Sequence, residues 1–273
     1  MRSSFALSIG PIAALDNGPA LPDEQESVAL LVPGYTGSKE DFMPLLRPLA
    51  SAGIRAIAID QRGQYESAWA GDSAGYEIDR LAADVCELAA TLGAPHKRLH
   101  LLGHSFGGLV GRLAVISRPD LFDTYTLMGS GPAAIGGQRR RWLDEADATY
   151  TARGMQAVWD QIAERSQADP RYLAAPPALR EFLRRRFMAN DPDGLMVMGR
   201  QLRAEPDRSA ELAATGVPIL VMHGVDDDAW PPAVQHEMAK RLGAQYQVVI
   251  DAAHSPAVEN TPGTLKVLLD MWA

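Results

Sequence analysis

An α/β architecture, with a mostly parallel central sheet flanked by helices, is predicted by three observations. From residue 28 short apolar runs alternate with longer amphipathic segments, the signature of strands buried on both faces and joined by crossover helices. The alternation stops near Pro132 and resumes at Pro218, with only helical patterns between. The 273 residues are 47% hydrophobic and 22% charged, an ordinary globular composition that argues against disorder and fibrous architectures.

The elements follow in order. Val28 to Val32 reads as a buried strand closed by Pro33-Gly34, Lys39 to Ser51 as a helix, and Ile54 to Asp60 as a second strand ended by Gln61-Arg62-Gly63. Apolar residues at 78, 81, 82, 85, 88, 89 and 92 mark a helix. Cys86 reads as a small buried hydrophobe on its apolar stripe. Leu99 to Leu102 is a strand, Ser105 to Ser117 a helix, and Thr124 to Met128 a further strand. Strand–helix alternation returns with Pro218 to Met222, Ala233 to Leu242, Tyr246 to Ile250 and a last helix to Trp272. Residues 132–208 are expected to form a helical cap inserted after the sixth strand, splitting a core domain made of 1–131 and 209–273.

Composition excludes several classes of function. A net charge of −8 leaves no basic excess to neutralise phosphates, so neither nucleic acid nor an anionic membrane is expected as a partner. No run approaches about 18 apolar residues, and the N-terminus lacks a secretory pattern, so a soluble cytoplasmic protein is expected. The single cysteine rules out an intrachain disulfide and a cysteine-built zinc site. The clusters Arg139–Arg141 and Arg184–Arg186 suggest anion binding, but Asp144, Glu145, Asp147 and Glu181 offer partners at helical spacing, which favours a salt-bridged solvated face.

The segment Gly103-His104-Ser105-Phe106-Gly107 places Gly-x-Ser-x-Gly between a predicted strand and a predicted helix, the context in which that motif exposes a strained serine. Side chains at 103 and 107 would collide with the neighbouring strand and helix, and the helix N-terminus favours a developing anion. A serine alcohol needs a base. Of six histidines, His104 is expected to project away from the Ser105 Oγ. His100 and His223 belong to strands, and His96 and His236 to surface positions. His254 follows the last strand, at the same end of the sheet as Ser105. Only His254 fits. The loop His223-Gly224-Val225-Asp226-Asp227-Asp228 then offers three carboxylates to orient that base. The run lacks the alternating ligand spacing of a calcium loop.

These residues resemble the α/β-hydrolase superfamily, in serine esterase and lipase-like form with a helical cap, and in its chain order of serine, acid and histidine. Aligning the superfamily's His-Gly-x-x-Asp loop with His223-Gly224 selects Asp227, with Asp226 and Asp228 as fallbacks. Val32-Pro33-Gly34-Tyr35-Thr36-Gly37 resembles its oxyanion loop, with Pro33 where histidine is common. By that resemblance the backbone N–H groups of Tyr35 and Phe106 form the oxyanion hole. Asp60-Gln61-Arg62-Gly63-Gln64-Tyr65 matches a third motif, with tyrosine at 65 where glycine is common. That segment reads as structural, holding the loop beside the site.

The implied activity is serine hydrolysis of a carboxylic ester, or a related acyl bond, of a small and largely apolar substrate, needing no cofactor and no metal. Trp142, Trp159, Met188 and Trp230 are the expected pocket residues. Carbon–carbon bond hydrolases, lactonases, thioesterases and cofactor-free perhydrolases share the same residue set. Epoxide hydrolases and haloalkane dehalogenases are disfavoured, because they use aspartate where this chain has Ser105. A receptor-like binding module with slow turnover is the alternative of another class.

Overall fold

The computed structural model describes residues 1–18, 27–69, 71–92 and 98–272. Two N-terminal strands, β1 (Arg2–Leu7) and β2 (Gly10–Asp16), form an antiparallel hairpin ahead of the alternation read from the sequence. β1 buries only its last residue fully, which is why six residues with one apolar face gave a weak signal. The rest of the core runs β3 (Ser27–Val32), α1 (Met43–Ser51), β4 (Ile54–Ile59), α2 (Ile78–Leu92), β5 (Arg98–His104), α3 (Phe106–Ser117) and β6 (Thr124–Met128). Five helices follow: α4 (Gly137–Ser166), α5 (Pro170–Ala174), α6 (Pro177–Met188), α7 (Pro192–Ala204) and α8 (Ser209–Ala213). The chain then closes with β7 (Ile219–Gly224), α9 (Pro232–Leu242), β8 (Gln245–Val249), α10 (Pro256–Glu259) and α11 (Thr261–Trp272).

The helix expected over Lys39 to Ser51 is two pieces, a tight 3₁₀ turn at Lys39–Phe42 and then α1. Pro44 stands in the first turn of α1, where its missing N–H costs nothing. α4 is broken at Gly154, whose φ of 77° no helix accommodates.

The strands form one eight-stranded sheet in the order β1-β2-β4-β3-β5-β6-β7-β8. β2 runs antiparallel to β1 and β4, and every pairing from β4 through β8 is parallel. Burial on both faces follows from alternation along the strands. In β3, Val28, Leu30 and Val32 join the cluster containing α2 and α3 residues, while Ala29 and Leu31 join the one containing α1 and α11 residues. β5, β7 and β8 point the same way, so the loops after them, at Ser105, 225–231 and 250–255, share one end of the sheet.

A third cluster, of Val158, Trp159, Phe187, Leu195 and Met196, joins α4, α6 and α7, and Tyr35 of the core packs against it. Ion pairs tie α4, α6 and α5 to the core: Arg139 to Asp228 (2.7 Å), Arg186 to Asp41 (2.5 Å) and Arg171 to Glu259 (2.8 Å). The arginine clusters thus differ from expectation. Only Arg184 pairs at helical spacing, with Glu181, whereas Asp144 and Asp147 take Arg203 and Glu145 takes Arg165. Periodicity at i, i+3 and i, i+4 could not reveal partners twenty or more residues away. Among the described residues no helix is long and apolar enough to cross a membrane.

Candidate active site

Ser105 sits on the turn between β5 and α3 with φ 55° and ψ −119°. That is left-handed backbone in a residue with a Cβ, a conformation costing on the order of 1–3 kcal/mol. The surroundings impose it. A Cβ on Gly103 would lie 2.3 Å from the Gly107 carbonyl oxygen, and one on Gly107 would lie 2.4 Å from the carbonyl oxygens of both Val32 and Pro33. Backbone therefore fills the space on either side of the turn. The Ser105 N–H donates to the Met128 carbonyl (2.9 Å), and the Gly108 N–H donates to the Ser105 carbonyl (2.9 Å).

The Ser105 hydroxyl meets His254 Nε2 at 2.9 Å, and His254 Nδ1 meets Asp227 Oδ1 at 3.0 Å. A carboxylate can only accept, so Nδ1 carries the proton and Nε2 is free to accept from the serine. Asp227 Oδ1 also accepts from the Ala229 N–H (2.9 Å), and Oδ2 accepts from the Gln235 side-chain amide (2.9 Å). Burial pushes the Asp227 carboxyl up, but the His254, Ala229 and Gln235 hydrogen bonds outweigh it and hold it below the ordinary carboxylate value. Its neighbours are turned elsewhere: Asp226 is exposed and Asp228 pairs with Arg139. The acid and histidine loops touch backbone to backbone, since a Cβ on Gly224 would fall 2.1 Å from the Ala253 carbonyl oxygen.

Gln235 was not legible in the sequence. It projects from the first turns of α9, and no motif marks an amide eight residues beyond the acid. The other histidines have structural partners. His104 donates Nε2–H to the His254 carbonyl (2.8 Å), and burial pushes its ring down to about 4, which leaves it neutral. His100 stacks on Trp272, His223 bonds the Tyr246 hydroxyl, and the His236 ring lies against Tyr246. His96 lies outside the described residues.

The loop after β3 approaches the same turn: a Cβ on Gly34 would lie 3.1 Å from Ser105 Cβ. Gln64 donates to the carbonyls of Gly34 (2.9 Å) and Tyr35 (3.0 Å), and Gln61 donates to that of Pro33 (2.9 Å). Lys39 adds its N–H and its ammonium to Asp60, at 2.8 and 2.6 Å. The Asp60–Gln64 segment therefore grips the loop from behind. With its carbonyls so held, the Tyr35 N–H has no acceptor among the described residues, and neither has the Phe106 N–H. Tyr65 adopts φ 39°, the reason glycine is common there, and its ring lies near the Lys39 ammonium and edge-on to Phe182 of α6.

A family model described as alpha/beta hydrolase fold matches residues 29–261. The chain belongs to the α/β-hydrolase family. It is a hydrolytic enzyme of that fold. A candidate carbamate hydrolase, RutD, of Stutzerimonas stutzeri is 28% identical over 253 residues, covering 89% of this chain and 91% of that protein. Its counterpart in Variovorax paradoxus is 43% identical over 98 residues, where this chain spans 35% of the relative's length. A crystal structure of a hydrolase from Pseudomonas aeruginosa superimposes with a TM-score of 0.79 at 25% identity, covering 98% of this chain and 97% of that one.

The four aromatic and methionine positions expected to line a pocket in this hydrolase have separate surroundings. Trp159 belongs to the apolar cluster of α4, α6 and α7, and Met188 packs against it. Trp142 lies outside that cluster, with the guanidinium groups of Arg139 and Arg165 5.5 and 5.6 Å from its ring centre. Trp230 is buried over Gly131, where a Cβ would meet its ring at 2.0 Å, and its indole N–H donates to the Ala133 carbonyl (3.1 Å). Among the described residues no group of three or more His, Cys, Asp or Glu is arranged to hold a metal ion.

Proposed function

We propose that this enzyme hydrolyses a carboxylic ester, or a related acyl bond, of a small and largely apolar substrate through an acyl-enzyme on Ser105. The observation that carries the reading is the unbroken hydrogen-bond chain from Ser105 through His254 to Asp227, at 2.9 and 3.0 Å. Ser105 Oγ attacks the carbonyl carbon as His254 Nε2 takes its proton. Asp227 holds the tautomer and stabilises the imidazolium. The Tyr35 and Phe106 N–H groups donate to the oxyanion, with the N-terminus of α3 behind them. His254 then protonates the leaving group, and water repeats the sequence on the acyl-enzyme. The steps use no cofactor or metal.

Residues 132–208 act in this reading as a cap over the same end of the sheet. Their ion pairs with Asp228 and Asp41 support it, because the first adjoins Asp227 and the second anchors the loop bearing Tyr35. Apolar cap residues such as Trp159 and Met188 favour an uncharged acyl group, and the location proposed is the cytoplasm. Similarity to the carbamate hydrolases extends the related acyl bonds to carbamates. Turnover of p-nitrophenyl esters of graded chain length, beside a p-nitrophenyl carbamate, tests the reading. Ser105→Ala and His254→Ala should each lose on the order of 10³-fold or more. A Ser105→Ala protein near the parental rate would overturn it.

A further inference from the structure

The loop that carries His254 is irregular. The chain leaves β8, turns through Asp251 in left-handed backbone at φ 54°, and reaches the four-residue helix α10 only at Pro256. Regular secondary structure thus holds neither side of His254. Its backbone groups must find partners elsewhere. The Ala252 carbonyl accepts from the Asp226 N–H (3.1 Å), and the His254 carbonyl accepts from His104 Nε2 (2.8 Å). The two N–H groups flanking the histidine both go to one atom, Glu259 Oε2: Ala253 at 2.7 Å and Ser255 at 3.1 Å. One carboxylate oxygen thus gathers both amides, while the His254 carbonyl goes to His104.

We infer that Glu259 is a positioning residue for His254, fixing its backbone through the two flanking amides so that the imidazole spans Ser105 and Asp227. The inference rests on the triad reading proposed above. The carboxylate suits the task, because charge-assisted bonds to N–H groups are roughly twice as strong as neutral ones. Its side chain is 18% exposed, so water competes weakly for Oε2. Arg171 Nη1 takes the other oxygen at 2.8 Å and orients the carboxylate. That arginine is 60% exposed, so the pair itself adds little and the amides carry the effect.

A residue that merely caps α10 would change the melting temperature and leave the chemistry alone, which gives the test its form. The parent enzyme is first reacted with a fluorophosphonate probe, and the low-field proton resonance of the His254–Asp227 hydrogen bond is recorded. Glu259→Met keeps the length and removes the acceptor. It should lower kcat on a p-nitrophenyl ester and the probe's inactivation rate together, by about 10- to 100-fold with KM within about threefold, as for an ångström-scale misplacement. The low-field resonance should broaden or shift. Glu259→Gln retains an oxygen for both amides and should restore the rate to within about fivefold, with the resonance in place. Should the methionine variant not fold, Glu259→Asp keeps the charge but falls one methylene short of the amides, and should show the same loss. Parental rates and an unchanged resonance in the methionine or aspartate variant would overturn the inference, as would a loss shared equally by glutamine. A parent that the probe does not label at Ser105 would instead remove the triad reading.

Discussion

Adding one methyl group to Gly103 isolates the geometry on which the Ser105 turn depends. The new Cβ would stand 2.3 Å from the Gly107 oxygen and 2.6 Å from both Gly107 C and Gly108 Cα. All three are backbone atoms, so no flexible side chain can yield. Moving from 2.3 Å to the 3.0 Å below which real Cβ contacts are essentially never found takes about 0.7 Å. That displacement must open the space between β5 and the first turn of α3, with Ser105 between them. Misplacement by about 1 Å costs about 10²-fold in rate, so Gly103→Ala should lower kcat by about 10- to 100-fold. Overpacking should cost a further 1–3 kcal/mol or so of stability, equivalent to a drop of roughly 2–4 °C in Tm per kcal/mol. Steady-state turnover of a p-nitrophenyl ester and a thermal melt on the same preparation measure both. Gly136→Ala is the control: nothing lies within 4 Å of its Cβ and its backbone is extended, so beyond a small change of N-cap preference it should keep parental kcat and sit within about 1 kcal/mol of parent. A Gly103→Ala enzyme with parental kcat and Tm would refute the steric account of the turn.

Other perturbations test separate parts of the site. Asp227→Asn presents an amide N–H to His254 Nδ1 and favours the wrong tautomer, so kcat should fall by about 10⁴-fold, whereas Asp228→Asn, losing only an exposed pair with Arg139, should keep it within about threefold. Gln64→Leu releases the carbonyls of Gly34 and Tyr35. At about 0.5–1.5 kcal/mol for each of the two hydrogen bonds, kcat should drop by up to roughly 5- to 100-fold with KM little changed. Burial pushes His100 and His104 down to about 4 from the ordinary 6.5, so the unfolded chain binds protons that the folded one refuses. Their contribution is complete above pH 6.5 and is lost as the pH falls toward 4, so Tm measured between those values should decline with acidity. A flat profile would mean that these rings accept protons without unfolding.

Much of this was legible because each feature has a local signature. Strands buried on both faces read as continuous apolar runs, and the serine turn announces itself through two glycines that backbone crowding demands. His254 could be selected because it alone follows the last strand at the right end of the sheet. What the sequence concealed depends on atoms distant along the chain. Gln235 and Glu259 are ordinary polar residues until folding brings their side chains to Asp227 and to the His254 loop. β1 carries little signal in the sequence, because an edge strand with one buried face has half the apolar content of a central one. Helical spacing suggests local partners for the arginine clusters of α4 and α6, yet Arg139 and Arg186 reach carboxylates about ninety and one hundred and forty-five residues away. Tyr65 illustrates the reverse case, since a departure from the motif coincides with a left-handed φ that glycine would occupy more cheaply.

The central claim is that Ser105 is activated by His254. Reaction of the purified protein with a fluorophosphonate, followed by mass mapping of the modified peptide, tests it most directly. Stoichiometric labelling at Ser105 and its disappearance in folded His254→Ala are the expected results. Labelling at another residue, or Ser105 labelling that persists undiminished without His254, would contradict it.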